Sequence, residues 1–175
     1  RCFDDGDIIH VDGTVDPIRD LETINMELIY SDIEQLEKRV DRVTKLLKGD
    51  KTLQPQLDMY NRLLEALNEG KTARSVELSD DDLALLDDVN LLTLKPIIYV
   101  ANVSEDEAAG VSDDNIFFKN LKEAADAENA EVIPVCAGIE AEIAELEPEE
   151  KKMFLADMGI EESGLDRLIK ASYSL

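Results

Sequence analysis

Apolar residues recur at Ile29, Ile33, Leu36, Val40, Val43 and Leu47, stepping alternately by four and three, which is the narrow stripe of a coiled-coil seam. Asp16-Pro17 marks the start of this helix, because Asp can accept from free amides and Pro is tolerated at the first helical position. Gly49 and Asp50 break the pattern. A second seam runs through Leu53, Leu57, Tyr60, Leu64 and Leu67 and stops at Gly70. Neither helix can bury its stripe alone, so two seams joined by a short polar loop predict an antiparallel helical hairpin, although an ordinary helical bundle shares the pattern. Ser79 followed by Asp80, Asp81 and Asp82 reads as a capping box, with Leu83, Leu86 and Leu92 as the apolar face of a further short helix.

The periodicity changes at Lys95-Pro96. Ile97-Ile98-Tyr99-Val100-Ala101 is a continuous apolar run, the pattern of a strand buried on both faces. A helix from about Asp114 to Glu128 follows, then a second apolar run, Val132-Ile133-Pro134-Val135-Cys136, whose proline places it near a sheet edge. Helical segments are predicted over 140–146, 148–157 and 164–173. At the other end, Arg1-Cys2-Phe3 and Ile8-Ile9-His10-Val11 read as sheet-edge or strand-end segments. The alternation of strand and helix predicts a parallel α/β layer built from 1–19 and 93–175 and interrupted by a helical insertion over 20–92.

Composition narrows the function. No run approaches the roughly 20 apolar residues of a membrane-spanning helix. Arg1-Cys2-Phe3 followed by acids lacks the order of a secretion signal, and the chain reads as a piece of a longer protein. Lys and Arg total 18 against 41 Asp and Glu, a formal charge of -23. Such a surface repels phosphate backbones over most of its area, so broad nucleic-acid binding is not expected. Cys2 and Cys136 lie far apart without a C-x-x-C partner, which supports neither a zinc site nor a disulfide framework and fits a reducing cytoplasm.

Ligands of open parallel sheets bind beyond the carboxyl ends of strands. Two segments lie there: Asn102-Val103-Ser104-Glu105 after the first strand, and Cys136-Ala137-Gly138 after the second. The competing reading is a strand-to-helix turn in which Asn102 bonds its own backbone and Glu105 is solvated. His10, the only histidine, has no ligand cluster near it in sequence. Asp4-Asp5 and Asp80-Asp81-Asp82 are explained by a solvated turn and a helix start, and Cys136 by burial at a strand end.

Several segments, in order, resemble the Obg-like ATPases of the YchF group. They are Arg1-Cys2-Phe3-Asp4-Asp5, Asp7 to Val11, Val15 to Asp20, Asn25 to Leu28, Leu94 to Glu105, Val132 to Ala137 with Glu140-Ala141-Glu142, and Gly164-Leu165 with Ile169-Lys170-Ala171 and Tyr173. The resemblance implies a Ras-like P-loop nucleotide-binding domain interrupted by a coiled-coil hairpin and followed by a small C-terminal domain. It implies ATP, or GTP, hydrolysis with magnesium in the intact protein, and the ribosome as partner. Asn102, Val103 and Glu105 then correspond to the base-recognition loop, and Cys136, Ala137 and Gly138 to the backbone loop that supports the base.

The departures from the family pattern are as informative. No G-x-x-x-x-G-K-[ST] occurs in the 175 residues, so the phosphate-cradling amides, the lysine and the magnesium-holding hydroxyl of that motif are not here. By the resemblance, the phosphate loop and the D-x-x-G switch belong upstream of Arg1, and the C-terminal domain beyond Leu175. No catalytic residue and no metal ligand is assigned, and this piece alone is expected to be inactive. Where related GTPases carry Asn-Lys-x-Asp, Val103 would replace the lysine as an apolar cover for the base. Glu105, one methylene longer than Asp, would sit differently at the purine edge and favour adenine. The alternative function is a non-enzymatic interaction module, an acidic helical hairpin on an α/β support.

Overall fold

The computed structural model describes residues 1–6 and 13–175, so the strand reading of Ile8 to Val11 and the place of His10 lie outside the described residues. The chain divides into two compact units, Arg1–Asp20 with Ile97–Leu175, and Leu21–Pro96.

The second unit is helical. Helix α1 spans Pro17–Leu46. Its start is the one read from sequence: the Asp16 carboxylate accepts from the amides of Ile18 and Arg19, both at 3.1 Å. Helix α2 spans Gln54–Asn68 and is closed at Gly70, whose φ of +78° suits a residue without a Cβ. Ile29, Leu36 and Val43 of α1 are buried at a heptad interval, while Ile33 and Val40 are half-buried. On α2 the buried set is Met59, Tyr60, Leu63 and Leu67, so the apolar face is wider than the expected seam and Leu57 and Leu64 lie at its margin.

The extra width is filled by the chain after α2. Ala73, Leu86, Val89 and Leu91 complete the same core, around the short helix α3 at Asp80–Leu85. The capping box at Ser79 and Asp82 is present. Leu83 and Leu92 are 45% and 37% exposed, so of the expected apolar face only Leu86 is buried, with Leu85 packed beside it; α3 ends before Leu92, so the helical spacing does not carry that far.

Inside this core sits a carboxylate. Asp32 is fully buried and accepts 2.7 Å bonds from the amides of Leu92 and Thr93 and from the Thr93 hydroxyl. The Thr93 hydroxyl in turn accepts from the Ala73 amide at 3.0 Å. Burying a polar group without partners costs about 1–3 kcal/mol on protein scales, and this clasp avoids that cost while tying α1 to two later segments.

The first unit is α/β. Strand β1 spans Ile98–Asn102 and strand β2 Glu131–Val135. They pair in parallel, Ile98 with Glu131 through Asn102 with Val135, and are connected through helix α4 at Ile116–Ala127. Helices α5 (Ala137–Ala144), α6 (Pro148–Asp157) and α7 (Gly164–Ser174) follow. Both α4 and α7 pack on β2. The expectation that the first strand is buried on both faces does not hold: Ala101 is 1% exposed but Val100 is 47% exposed. Among the described residues the sheet has two strands, and with alternating side chains it buries Ala101 on one face while Val100 is exposed on the other.

Candidate functional site

Asn102 ends β1, and its side chain does not bond its own backbone as a simple turn would require. Asn102 Oδ1 accepts from the Ala137 amide at 3.1 Å, joining two strand ends that are 35 residues apart. The Asn102 carbonyl accepts from the Cys2 amide at 2.7 Å. Val103 continues the ladder by donating its amide to the Val135 carbonyl at 2.9 Å. Ser104 and Glu105 then leave the strand into a single 3-10 turn, Glu105–Glu107.

The second segment is not a loop. β2 passes through Cys136 directly into α5, with Cys136 as the N-cap and Ala137 as the first helical residue. Helix N-termini carry amides without intrahelical partners, so Asn102 satisfies one of them. Gly138 lies exposed in this first turn, and a Cβ built on it would stand 3.2 Å from Glu105 Oε1. The missing side chain at 138 thus lets the Glu105 carboxylate lie against the start of α5. The structure brings Asn102, Glu105, Ala137 and Gly138 to one exposed place at the carboxyl ends of both strands.

Two expected site residues are placed differently. Val103 is 1% exposed, so it anchors the loop in the core and offers no cover to a ligand. The cause is its ladder bond to Val135, which holds the residue in register with the sheet. Cys136 is 7% exposed and contributes its place in the chain, not its thiol. Both cysteines are free, and burial above all pushes the Cys2 thiol up, which keeps it protonated.

Residues that sequence patterns did not single out hold the site in place. Asn115 caps α4 by accepting from the Phe118 amide, and its Nδ2 donates to the Cys2 carbonyl at 2.9 Å and to Glu107 Oε2 at 2.6 Å. It therefore ties the turn containing Glu105 to the segment that bonds Asn102. An N-cap at 115 is legible from Asn before an apolar run, but its bond to Cys2, 113 positions away, is not. Glu140, in the first turn of α5, accepts from the Gly164 amide at 2.6 Å. Arg167 donates to the Pro134 carbonyl at 2.7 Å. α7 is thereby fastened to both β2 and α5. A groove of about 360 Å3 along β2 and α7, lined by Val132, Pro134, Arg167, Lys170 and Ser174 among others, does not include the four site residues.

The arrangement groups an amide side chain, a carboxylate and the backbone of a helix start at the strand ends. No protein-family model matches the chain. The ribosome-binding ATPase YchF of Bacillus subtilis is 56% identical over 176 aligned residues, covering all of this chain and 48% of that protein. The proteins of the same name from Haemophilus ducreyi and Escherichia coli O157:H7 are 46% and 40% identical, again over the whole chain and 47% of their length. The solved structure of the Schizosaccharomyces pombe YchF GTPase superposes with a TM-score of 0.83 at 28% identity, covering 99% of this chain and 47% of that one. The chain thus spans about half the length of the relatives it matches.

Proposed function

The chain is homologous along its whole length to the YchF proteins, and from that premise we propose that it is the base-recognition half of a cytoplasmic nucleoside triphosphatase that binds and hydrolyses ATP, or GTP, and works with the ribosome. The observation that carries the reading is the 3.1 Å bond from the Ala137 amide to Asn102 Oδ1, with the Glu105 carboxylate lying against Gly138. A base-recognition loop needs its polar edge groups held at the ends of two adjacent strands. An interaction scaffold has no use for that link.

In this reading Asn102 orients the loop and the backbone at Ala137 and Gly138 supports the purine. Glu105 selects the base, and Val103 anchors the strand end beneath it. The helical unit, read as a coiled-coil hairpin inserted in a Ras-like domain, is the part a partner would sense. Magnesium belongs to the intact protein. Among the described residues no group of three His, Cys, Asp or Glu is placed to hold a metal ion, and no step is routed through one here. Among the described residues no helix is long and apolar enough to cross a membrane.

The test uses the full-length protein that contains this chain. Asn102→Ala is expected to weaken ATP and GTP together by about tenfold or more, since a buried edge group left unpaired costs about 1–3 kcal/mol. Glu105→Asp is expected to move the ratio of ATP to GTP dissociation constants toward GTP by about tenfold, on the same arithmetic. Unchanged affinities in both variants, measured by titration on folded protein, would remove the base-recognition role. The 175-residue chain alone is expected to turn over neither nucleotide above background, and magnesium-dependent turnover by it would contradict the division of labour proposed.

A further inference from the structure

Asn115 does more than start α4. An N-cap needs one acceptor, and Asn115 Oδ1 supplies it to the Phe118 amide at 2.9 Å. Ser or Asp would serve that purpose equally well. An asparagine side chain also carries two N–H donors. Both are used away from the helix, one on the Cys2 carbonyl at 2.9 Å and one on Glu107 Oε2 at 2.6 Å. Capping accounts for the oxygen of Asn115 and leaves its nitrogen without a reason.

Glu107 differs from its neighbours in the same 3-10 turn. Glu105 and Asp106 are exposed, whereas Glu107 is half-buried and its Oε1 also accepts from the Ser112 amide at 3.2 Å. Residues 104–114 carry five acids, Glu105, Asp106, Glu107, Asp113 and Asp114, and no Lys or Arg. Like charges at this density push the segment open, and no cation within it offsets them. The neutral donors of Ser112 and Asn115 hold Glu107 in place. The turn itself is closed by the Glu107 amide on the Ser104 carbonyl at 3.2 Å and the Ala108 amide on the Glu105 carbonyl at 3.1 Å, so holding Glu107 also holds Glu105. On its other side Asn115 holds the Cys2 carbonyl, and the Cys2 amide donates to the Asn102 carbonyl at 2.7 Å. One side chain thus fixes Asn102 through Cys2 and Glu105 through Glu107.

We propose that Asn115, with Glu107 as its partner, is a positioning residue for base selection: it fixes the Glu105 carboxylate relative to Asn102, and so sets the preference between adenine and guanine nucleotides. The inference rests on the base-recognition reading of Asn102 and Glu105, and adds to it a residue that touches no ligand. Strong discrimination requires that the wrong ligand edge leave polar groups unpaired. A carboxylate on an unbraced turn shifts to suit either purine edge, and the penalty for the wrong base shrinks. The brace removes that freedom.

The experiment uses the full-length protein that contains this chain, with ATP and GTP dissociation constants measured by titration and kcat measured for each nucleotide. Asn115→Asp keeps an N-cap of equal rank and removes both donations, and Asn115→Ser does the same without adding a charge. Both are expected to weaken the preferred nucleotide by about fivefold, the worth of one net hydrogen bond, and to move the ATP to GTP ratio toward one, with kcat changed less than about twofold. Asn115→Asp combined with Glu107→Gln restores the bond between the two positions with its direction reversed, the new amide donating to the new carboxylate, and is expected to bind about threefold more tightly than Asn115→Asp alone. A loss confined to kcat, with dissociation constants unchanged, is the signature of a smaller folded fraction and would overturn the proposal. Equal weakening of both nucleotides, or a double variant no better than Asn115→Asp, would overturn it too. Asn102→Ala and Glu105→Asp, titrated beside these, separate the inference from the reading beneath it. If they alter binding and both Asn115 variants do not, the positioning role alone fails; if they are neutral, the base-recognition reading fails and takes this inference with it.

Discussion

The two units achieve order by different means. In the helical unit the buried positions are large aliphatics at heptad spacing, Ile29, Leu36 and Val43, meeting Met59, Tyr60, Leu63 and Leu67. Its one buried carboxylate, Asp32, has three donors. In the α/β unit many of the most buried residues are small, including Cys2, Ala101, Val103 and Ala125, and the elements are fastened by side-chain-to-backbone bonds and close backbone approach. That unit leaves Val100 on β1 and the stripe Leu165, Ile169 and Tyr173 on α7 exposed. Bulk burial supports the first; the second depends on particular contacts, and those contacts also shape the candidate site.

The largest expected effect comes from attacking the bulk. Leu36→Asp loses the burial of a leucine and places an unpaired charge in a fully buried site, for about 4 kcal/mol or more. Hydrogen exchange should lose protection throughout 21–96 while residues 98–102 and 131–135 stay protected. Loss of protection in both units together would show that they are not energetically separate.

Asp32→Ala comes next. It strands the amides of Leu92 and Thr93 and removes the acceptor of the Thr93 hydroxyl, for about 3 kcal/mol in the same unit. Denaturant unfolding followed by amide exchange at Leu92 and Thr93 would read it; full protection at both amides would mean that water replaces the clasp at no cost.

The α/β unit is tested by Gly164→Ala. A Cβ there would stand 2.9 Å from Val135 Cγ2 and 3.1 Å from Glu140 Oε1, so α7 must shift away from β2, at about 1–3 kcal/mol. Exchange at Val135 and in α5 should rise with the helical unit unaffected. No change in either would indicate that the contact at Gly164 is readily relieved.

The smallest effect is that of acid. Asp82, held by the Ser79 amide and then by Arg62 and the Ser79 hydroxyl, has its pKa lowered to about 2. Asp166 is lowered chiefly by its bond from the Ser163 hydroxyl. A depressed folded-state pKa contributes stability above the unfolded value, near 4 for Asp, and loses it as pH falls toward the folded value. Fraying of α3 should therefore develop between about pH 4 and 2, and Asp82→Asn should remove that dependence. A pH profile unchanged by the substitution would assign the acid sensitivity elsewhere.

Element starts and stops were legible in the sequence because they depend on bonds spanning four residues or fewer. Asp16 before Pro17, Gly70 at +78°, the Ser79 box and Pro148 at the head of α6 all appear where the pattern placed them. The two parallel strands were legible too, from short apolar runs separated by a helix. The tertiary structure alone decided which faces those elements bury. It put Leu63 in the core with Leu64 at the margin, exposed Val100, and buried Val103, which was expected to serve as an apolar cover for the base. It also decided the long-range bonds, Asn102 to Ala137 across 35 positions and Asp32 to Thr93 across 61. Burial and such bonds depend on a partner surface far away along the chain, and no local spacing of residues encodes where that partner will lie.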